Sequence, residues 1–241
     1  MHRLVITNRK LTGITGRATS RAAHVAFGVA LAAAAAVAFA THASALALLL
    51  AAAALIVGGA AWLDGGPQSA KEVTVIATLA AAAAAGRVLL APIPDVQPVT
   101  VIVVVTGVAL GARAGIAVGA SAAFVSNFFL GQGLWTPWQM LAWGLCGAVG
   151  AWCAPLLRRR VPLAVTCFLL GYVYGFVLDA WNWYAFYPHT WASFLARQAA
   201  GFPFDTAHAL GNLALALAAG PELRRLLERY DRRLRTEIVW A

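Results

Sequence analysis

Residues 98–130 read PVTVIVVVTGVALGARAGIAVGASAAFVSNFFL. Two apolar runs, 98–112 and 115–130, flank a short break carrying Arg113, and glycine or proline bounds each run. Hydrocarbon offers a backbone no water to bond, so apolar segments of this kind must be helices that satisfy their amides internally. Both are shorter than the roughly 20 residues that cross a bilayer upright. They are therefore expected to be tilted less than usual or shielded by neighbours.

Working outward, six more apolar segments appear, at 22–40, 45–63, 73–90, 138–156, 162–181 and 204–220. The expected fold class is all-α: a polytopic transmembrane helical bundle of eight helices. A basic N-tail (1–21) precedes an N-terminal two-helix hairpin (22–66), a six-helix core (72–220) and a basic C-tail (221–241). Composition agrees, with 61% hydrophobic and 11% charged residues and a mean hydropathy of +0.76. A soluble domain carries about 25% charged residues, so no stretch here is polar enough to form one. The first two segments are alanine-rich, and Arg17, Arg21, an apolar run and Ala43-Ser44-Ala45 also imitate a signal peptide. The long basic region and the second apolar segment that follows at once favour a retained hairpin.

The net charge of +9 does not mark a nucleic-acid protein, because the basic residues sit in tails and short loops. With the N-terminus cytoplasmic, Arg87 and Arg197 are the only two of the 18 Lys and Arg on the far side. That asymmetry places both termini in the cytoplasm. Cys146, Cys153 and Cys167 lie in apolar segments without metal spacing, so they read as packing residues and no metal is expected.

Charged side chains inside a bilayer are costly and mark function. On this topology they gather at the non-cytoplasmic helix ends. Arg87 lies near the outer end of the third helix, Asn127 and Gln139 at the ends of the fifth and sixth, and Asp179 near the end of the seventh. Asp205 is expected to cap the last helix, with His208 and Asn212 on the same face at i+3 and i+7. Asp95, Gln97, Trp135 and Trp183 join them from connecting loops. The segment from Trp181 onward is expected to be a lid-like loop of about 25 residues, with Thr190–Ala200 as a short interfacial helix. Substrate-binding candidates are thus Arg87, Asp95, Gln97, Asn127, Trp135, Gln139, Asp179, Trp183, Asp205, His208 and Asn212. Arg87 suits a carboxylate or phosphate, the amides suit ring nitrogens and hydroxyls, and the aromatic rings suit a flat heterocycle.

The stretch Gly86–Gly150, with its arginine, the IPDVQP turn (93–98) and the GQGLWTPWQM turn (131–140), resembles the substrate-binding S components of energy-coupling factor (ECF) transporters. FPFDTAHALGN (202–212) is similar to their last helix, and the resemblance covers about residues 72–220. It implies a subunit in the plasma membrane of a bacterium, without enzymatic activity. Such a subunit captures a water-soluble vitamin or related micronutrient outside and docks on a transmembrane scaffold driven by two cytoplasmic ATPases. Small residues of the first core helix, here Ala77 and Ala81, would contact the scaffold, and residues 91–97 would cover the pocket. The N-terminal hairpin exceeds the usual six helices. The chain has no Gly-x-x-x-x-Gly-Lys-Ser/Thr loop, so no cofactor is expected in it and ATP would be used by partners. A stand-alone secondary carrier and an intramembrane enzyme using His208 with Asp205 or Asp179 are the competing expectations. The absence of a convincing inverted repeat weighs against the carrier.

Overall fold

The computed structural model describes residues 4–7, 70–234 and 237–240. Most of the N-tail and the expected hairpin at 22–66 lie outside the described residues. Among the described residues there are seven helices: α1 (Ala70–Leu89), α2 (Val99–Leu110), α3 (Ala112–Leu130), α4 (Thr136–Trp152), α5 (Ala154–Leu157), α6 (Arg160–Phe186) and α7 (Trp191–Leu234). The core is all-α. Apart from it, strands β1 (Leu4–Thr7) and β2 (Glu237–Trp240) pair antiparallel, Leu4 opposite Trp240. Three helices, at Lys71–Leu89, Ala112–Leu130 and Arg160–Phe186, are long and apolar enough to cross a membrane.

Helix α2 is built almost wholly of Val, Thr and Ile, residues with poor intrinsic helix propensity. Its helicity is imposed by surroundings that leave the backbone no other bonding partner. At 12 residues it is about 18 Å long, well short of a bilayer core. Nine of its residues are buried, because α3, α4 and α7 pack around it. This is the shielding expected of so short a segment. It starts after Pro98, which has no amide to leave unpaired, and stops at Gly111, whose φ of 94° suits only glycine well.

Close approach of α2, α3 and α4 depends on glycine. A Cβ on Gly115 would lie 2.9 Å from the Gly147 backbone, and one on Gly119 would lie 2.6 Å from the Trp143 carbonyl. Small residues at membrane helix interfaces admit such backbone contact. On the other side of the bundle α6 and α7 form an antiparallel pair in which Gly171 faces Ala209, Gly175 faces Asp205, and Gly201 faces Asp179.

Two expectations for the last third of the chain need correction. Only residues 187–190 separate α6 from α7, so there is no long aromatic lid and no separate interfacial helix. Asp205 does not cap the last helix but lies well inside α7. The cap is Thr190: its hydroxyl accepts from Ser193 N at 3.2 Å, and Ser193 Oγ accepts from Thr190 N at 3.4 Å. This reciprocal pairing is a capping box, and it starts the helix fifteen residues before Asp205. The helix then runs through Pro203 and Pro221 into the arginine-rich segment at 224–232.

Candidate functional site

The C-terminal ends of α1 and α3 and the N-terminal ends of α2 and α4 meet at one end of the bundle. Each contributes a polar group there. Arg87, in the last turn of α1, donates from Nε to Gln97 Oε1 at 2.9 Å. Its Nη1 donates to Ser126 Oγ and Asn127 Oδ1, both at 2.6 Å. Fully buried Asn127 passes the connection on, donating to Thr136 Oγ1 at 2.9 Å and Gln139 Oε1 at 2.8 Å. Four helix ends are thereby tied through one guanidinium and one amide. Arg87 sits in no ion pair among the described residues; the oxygens of Gln97, Ser126 and Asn127 that accept from it are all neutral.

A second chain of bonds crosses the same region. Trp143 Nε1 donates to Thr100 Oγ1 at 3.1 Å, and Thr100 Oγ1 lies 3.2 Å from His208 Nε2. His208 Nδ1 lies 2.8 Å from the Asp95 carbonyl oxygen. A carbonyl only accepts, so Nδ1 carries the proton. In the neutral ring Nε2 is then the acceptor, and the Thr100 hydroxyl, already accepting from Trp143, donates to it. The neutral His208 ring is therefore the Nδ1–H tautomer, and the 3.5 Å approach of the Gln97 amide nitrogen to Nδ1 is contact between two donors.

Aromatic faces close the ring. The Arg87 guanidinium lies 4.9 Å from the centre of Trp143, which stacks on Tyr174 at 4.6 Å. Tyr174 in turn meets the His208 ring at 5.1 Å. A cation over an indole and an offset aromatic stack each add to area burial.

Asp95 holds this arrangement from the α1–α2 connection. It is the one non-glycine residue with positive φ among those described, at 55°, a conformation Asp tolerates better than most side chains. That backbone turn aims its carbonyl at His208. Burial raises the Asp95 carboxyl above its ordinary value, opposed by His208 when that ring is protonated and by the nearby Arg87 charge. The next residue, Val96, lies against Gly211 of α7.

Of the eleven expected positions, Arg87, Gln97, Asn127, Gln139 and His208 come together by side chain and Asp95 by its carbonyl. Asn212, fully buried, lies one turn below His208. Four others fall elsewhere. Asp179 pairs with Arg197 at 2.5 Å, whose Nε donates to Asn182 Oδ1 at 2.9 Å. The Asp205 carboxylate rests against Gly175. Trp183 Nε1 donates to Ser193 Oγ at 2.9 Å, bracing the α6–α7 turn. Trp135 is 40% exposed and lies over Gly133. His208 thus bonds to neither Asp179 nor Asp205, the partners an acid–base pair would need. Ala77 and Ala81 are exposed on α1, whereas Ala80, Ala83 and Ala84 are buried.

Five participants escape a search for charged and amide residues: Thr100, Ser126, Thr136, Trp143 and Tyr174. Thr100 and Trp143 did carry a signal, as a hydroxyl within a valine run and an indole deep in an apolar helix. Both types need a polar partner when buried.

Residues 67–223 match the model of a family described as "Family of unknown function (DUF6580)". No curated protein and no solved structure matches the chain.

Proposed function

The chain belongs to DUF6580, a family of unknown function, and from that starting point we propose that it is the substrate-specific membrane subunit of an ECF-type ATP-driven importer. It captures a vitamin-like small molecule at the outer end of its bundle and delivers it inward with a scaffold subunit and two ATPases. The observation that carries this reading is the closed polar and aromatic network at one end of the helices. It draws on α1, α2, α3, α4, α6 and α7 and holds a cation, amides, hydroxyls and stacked rings. A few convergent polar groups among apolar and aromatic walls are what small-molecule recognition requires.

The topology proposed with it has eight helices and both termini in the cytoplasm of a bacterium, as the Lys and Arg asymmetry demands. The binding end then faces outward. The chain supplies binding and shape change, and its partners supply ATP hydrolysis. Exposed Ala77 and Ala81 offer the scaffold a surface on which helix backbones approach closely.

The test is co-isolation of the tagged chain from native membranes, followed by protein mass spectrometry. The expected companions are one multi-spanning scaffold protein and two ATPases with phosphate-binding loops. Uptake by vesicles holding this chain alone, driven by an ion gradient, would instead make it a secondary carrier.

A further inference from the structure

Asn212 is wholly buried on α7, and neither Nδ2 nor Oδ1 of its amide finds a hydrogen-bond partner among the described residues. Buried amides are almost always paired, because an unmade bond forfeits the hydration that burial removed. The contrast with its neighbours is sharp. Gln97, Thr100, Ser126, Asn127, Thr136 and Gln139 are also buried, and each has a side-chain or main-chain partner.

Its position gives the orphan amide meaning. Asn212 is one helical turn from His208, on the same face of α7. His208 is the residue on which the Asp95 carbonyl, Thr100 and the Tyr174 ring converge. The loop above it lies on α7 at His208 and Gly211. Arg87, by contrast, is engaged at both Nε and Nη1 by the protein's own amide and hydroxyl oxygens. The cation ties helix ends together, and the unengaged recognition group is the amide beneath.

We propose that Asn212 is the floor of the ligand site and reads an acceptor and an N–H donor on adjacent atoms of a flat molecule, as in a lactam, a cyclic ureide or a carboxamide. The inventory of the side chain points to that class. Its carbonyl needs a donor and its NH2 needs an acceptor. A carboxylate or phosphate satisfies the NH2 alone and an ammonium the carbonyl alone. An amide-like edge satisfies both at once. The Trp143–Tyr174–His208 column beside it favours a planar ring system. This inference rests on the binding-subunit reading and specifies the chemistry of its substrate.

The experiment is native mass spectrometry of the full chain purified in detergent from native membranes, as wild type, Asn212→Leu and Asn212→Asp. Wild type is expected to retain a small molecule whose fragmentation reveals an amide, lactam or ureide edge. Asn212→Leu and Asn212→Asp are expected to retain at least tenfold less while eluting as the same monodisperse, helical species. A molecule held equally by wild type and Asn212→Leu, or one lacking such an edge, overturns the Asn212 assignment and leaves the binding-subunit reading standing. Loss of the molecule together with aggregation of both variants assigns Asn212 to folding and also overturns it. A wild-type chain that carries no small molecule, both as isolated and after incubation with a panel of water-soluble vitamins, overturns both.

Discussion

Replacing Asn127 by Leu removes the amide at the centre of the helix-end network without changing side-chain size much. Three hydrogen bonds go: one accepted from Arg87 and two donated, to Thr136 and Gln139. Thr136 keeps the Gly133 amide and Gln132 as partners, whereas the Gln139 carbonyl oxygen loses its Asn127 donor. Hydrogen bonds between membrane helices average about 0.6 kcal/mol in double-mutant cycles, which gives about 2 kcal/mol for three. Orphaning buried groups costs about 1–3 kcal/mol each, and Asn127 is 0% exposed, so the upper end governs. The expected loss is about 2–4 kcal/mol, a large share of the 5–15 kcal/mol that holds a domain. Reversible unfolding in mixed micelles, followed by helical circular dichroism, measures it. The network also predicts non-additivity: Arg87→Met with Asn127→Leu should lose at least about 1 kcal/mol less than the two single variants summed. A single-variant loss below about 0.5 kcal/mol, or strict additivity, would refute a network held by Asn127.

Three further perturbations bear on the same structure. The raised Asp95 carboxyl means that the fold favours its protonated form. Its contribution to stability is fully present below the ordinary value of 3.8 and is lost as pH rises through the folded-state value. Wild type should therefore lose thermal stability relative to Asp95→Asn as pH rises from about 4 to about 7; a difference independent of pH contradicts this. Gly147→Ala drives a Cβ into the Gly115 backbone and should destabilise by about 1–3 kcal/mol or more, read by the same unfolding assay. Ala81→Trp, on the exposed face of α1, should leave stability within about 0.5 kcal/mol yet abolish co-isolation with the scaffold; retained co-isolation moves the docking surface elsewhere.

The apolar helices of the core were legible because bilayer physics leaves an apolar segment one backbone solution. Even the valine-rich α2, poor in propensity, follows from that constraint. The α6–α7 connection was not legible by composition. Residues 181–201 mix aromatics, histidine and arginine in a way that suggests a loop, yet the local signal was present in Thr190-Trp-Ala-Ser193, whose capping box opens α7. Asp205 looked like a cap because Asp is favoured there, and tertiary packing instead set its carboxylate against Gly175. At the site, charged and amide residues stood out by their cost in a membrane. Thr100 and Trp143 carried only the weaker signal of a buried hydroxyl and indole, and Tyr174 carried none, since hydroxyls and aromatics are common in helices of this kind. Their roles come from contacts across α2, α4, α6 and α7, which helical spacing within one segment does not specify.

The most direct measurement is native mass spectrometry of the wild-type chain released intact from detergent. One small molecule of vitamin-like mass per chain is the result that a substrate-capturing subunit predicts. A bare polypeptide, both as isolated from native membranes and after incubation with a panel of water-soluble vitamins, would contradict it.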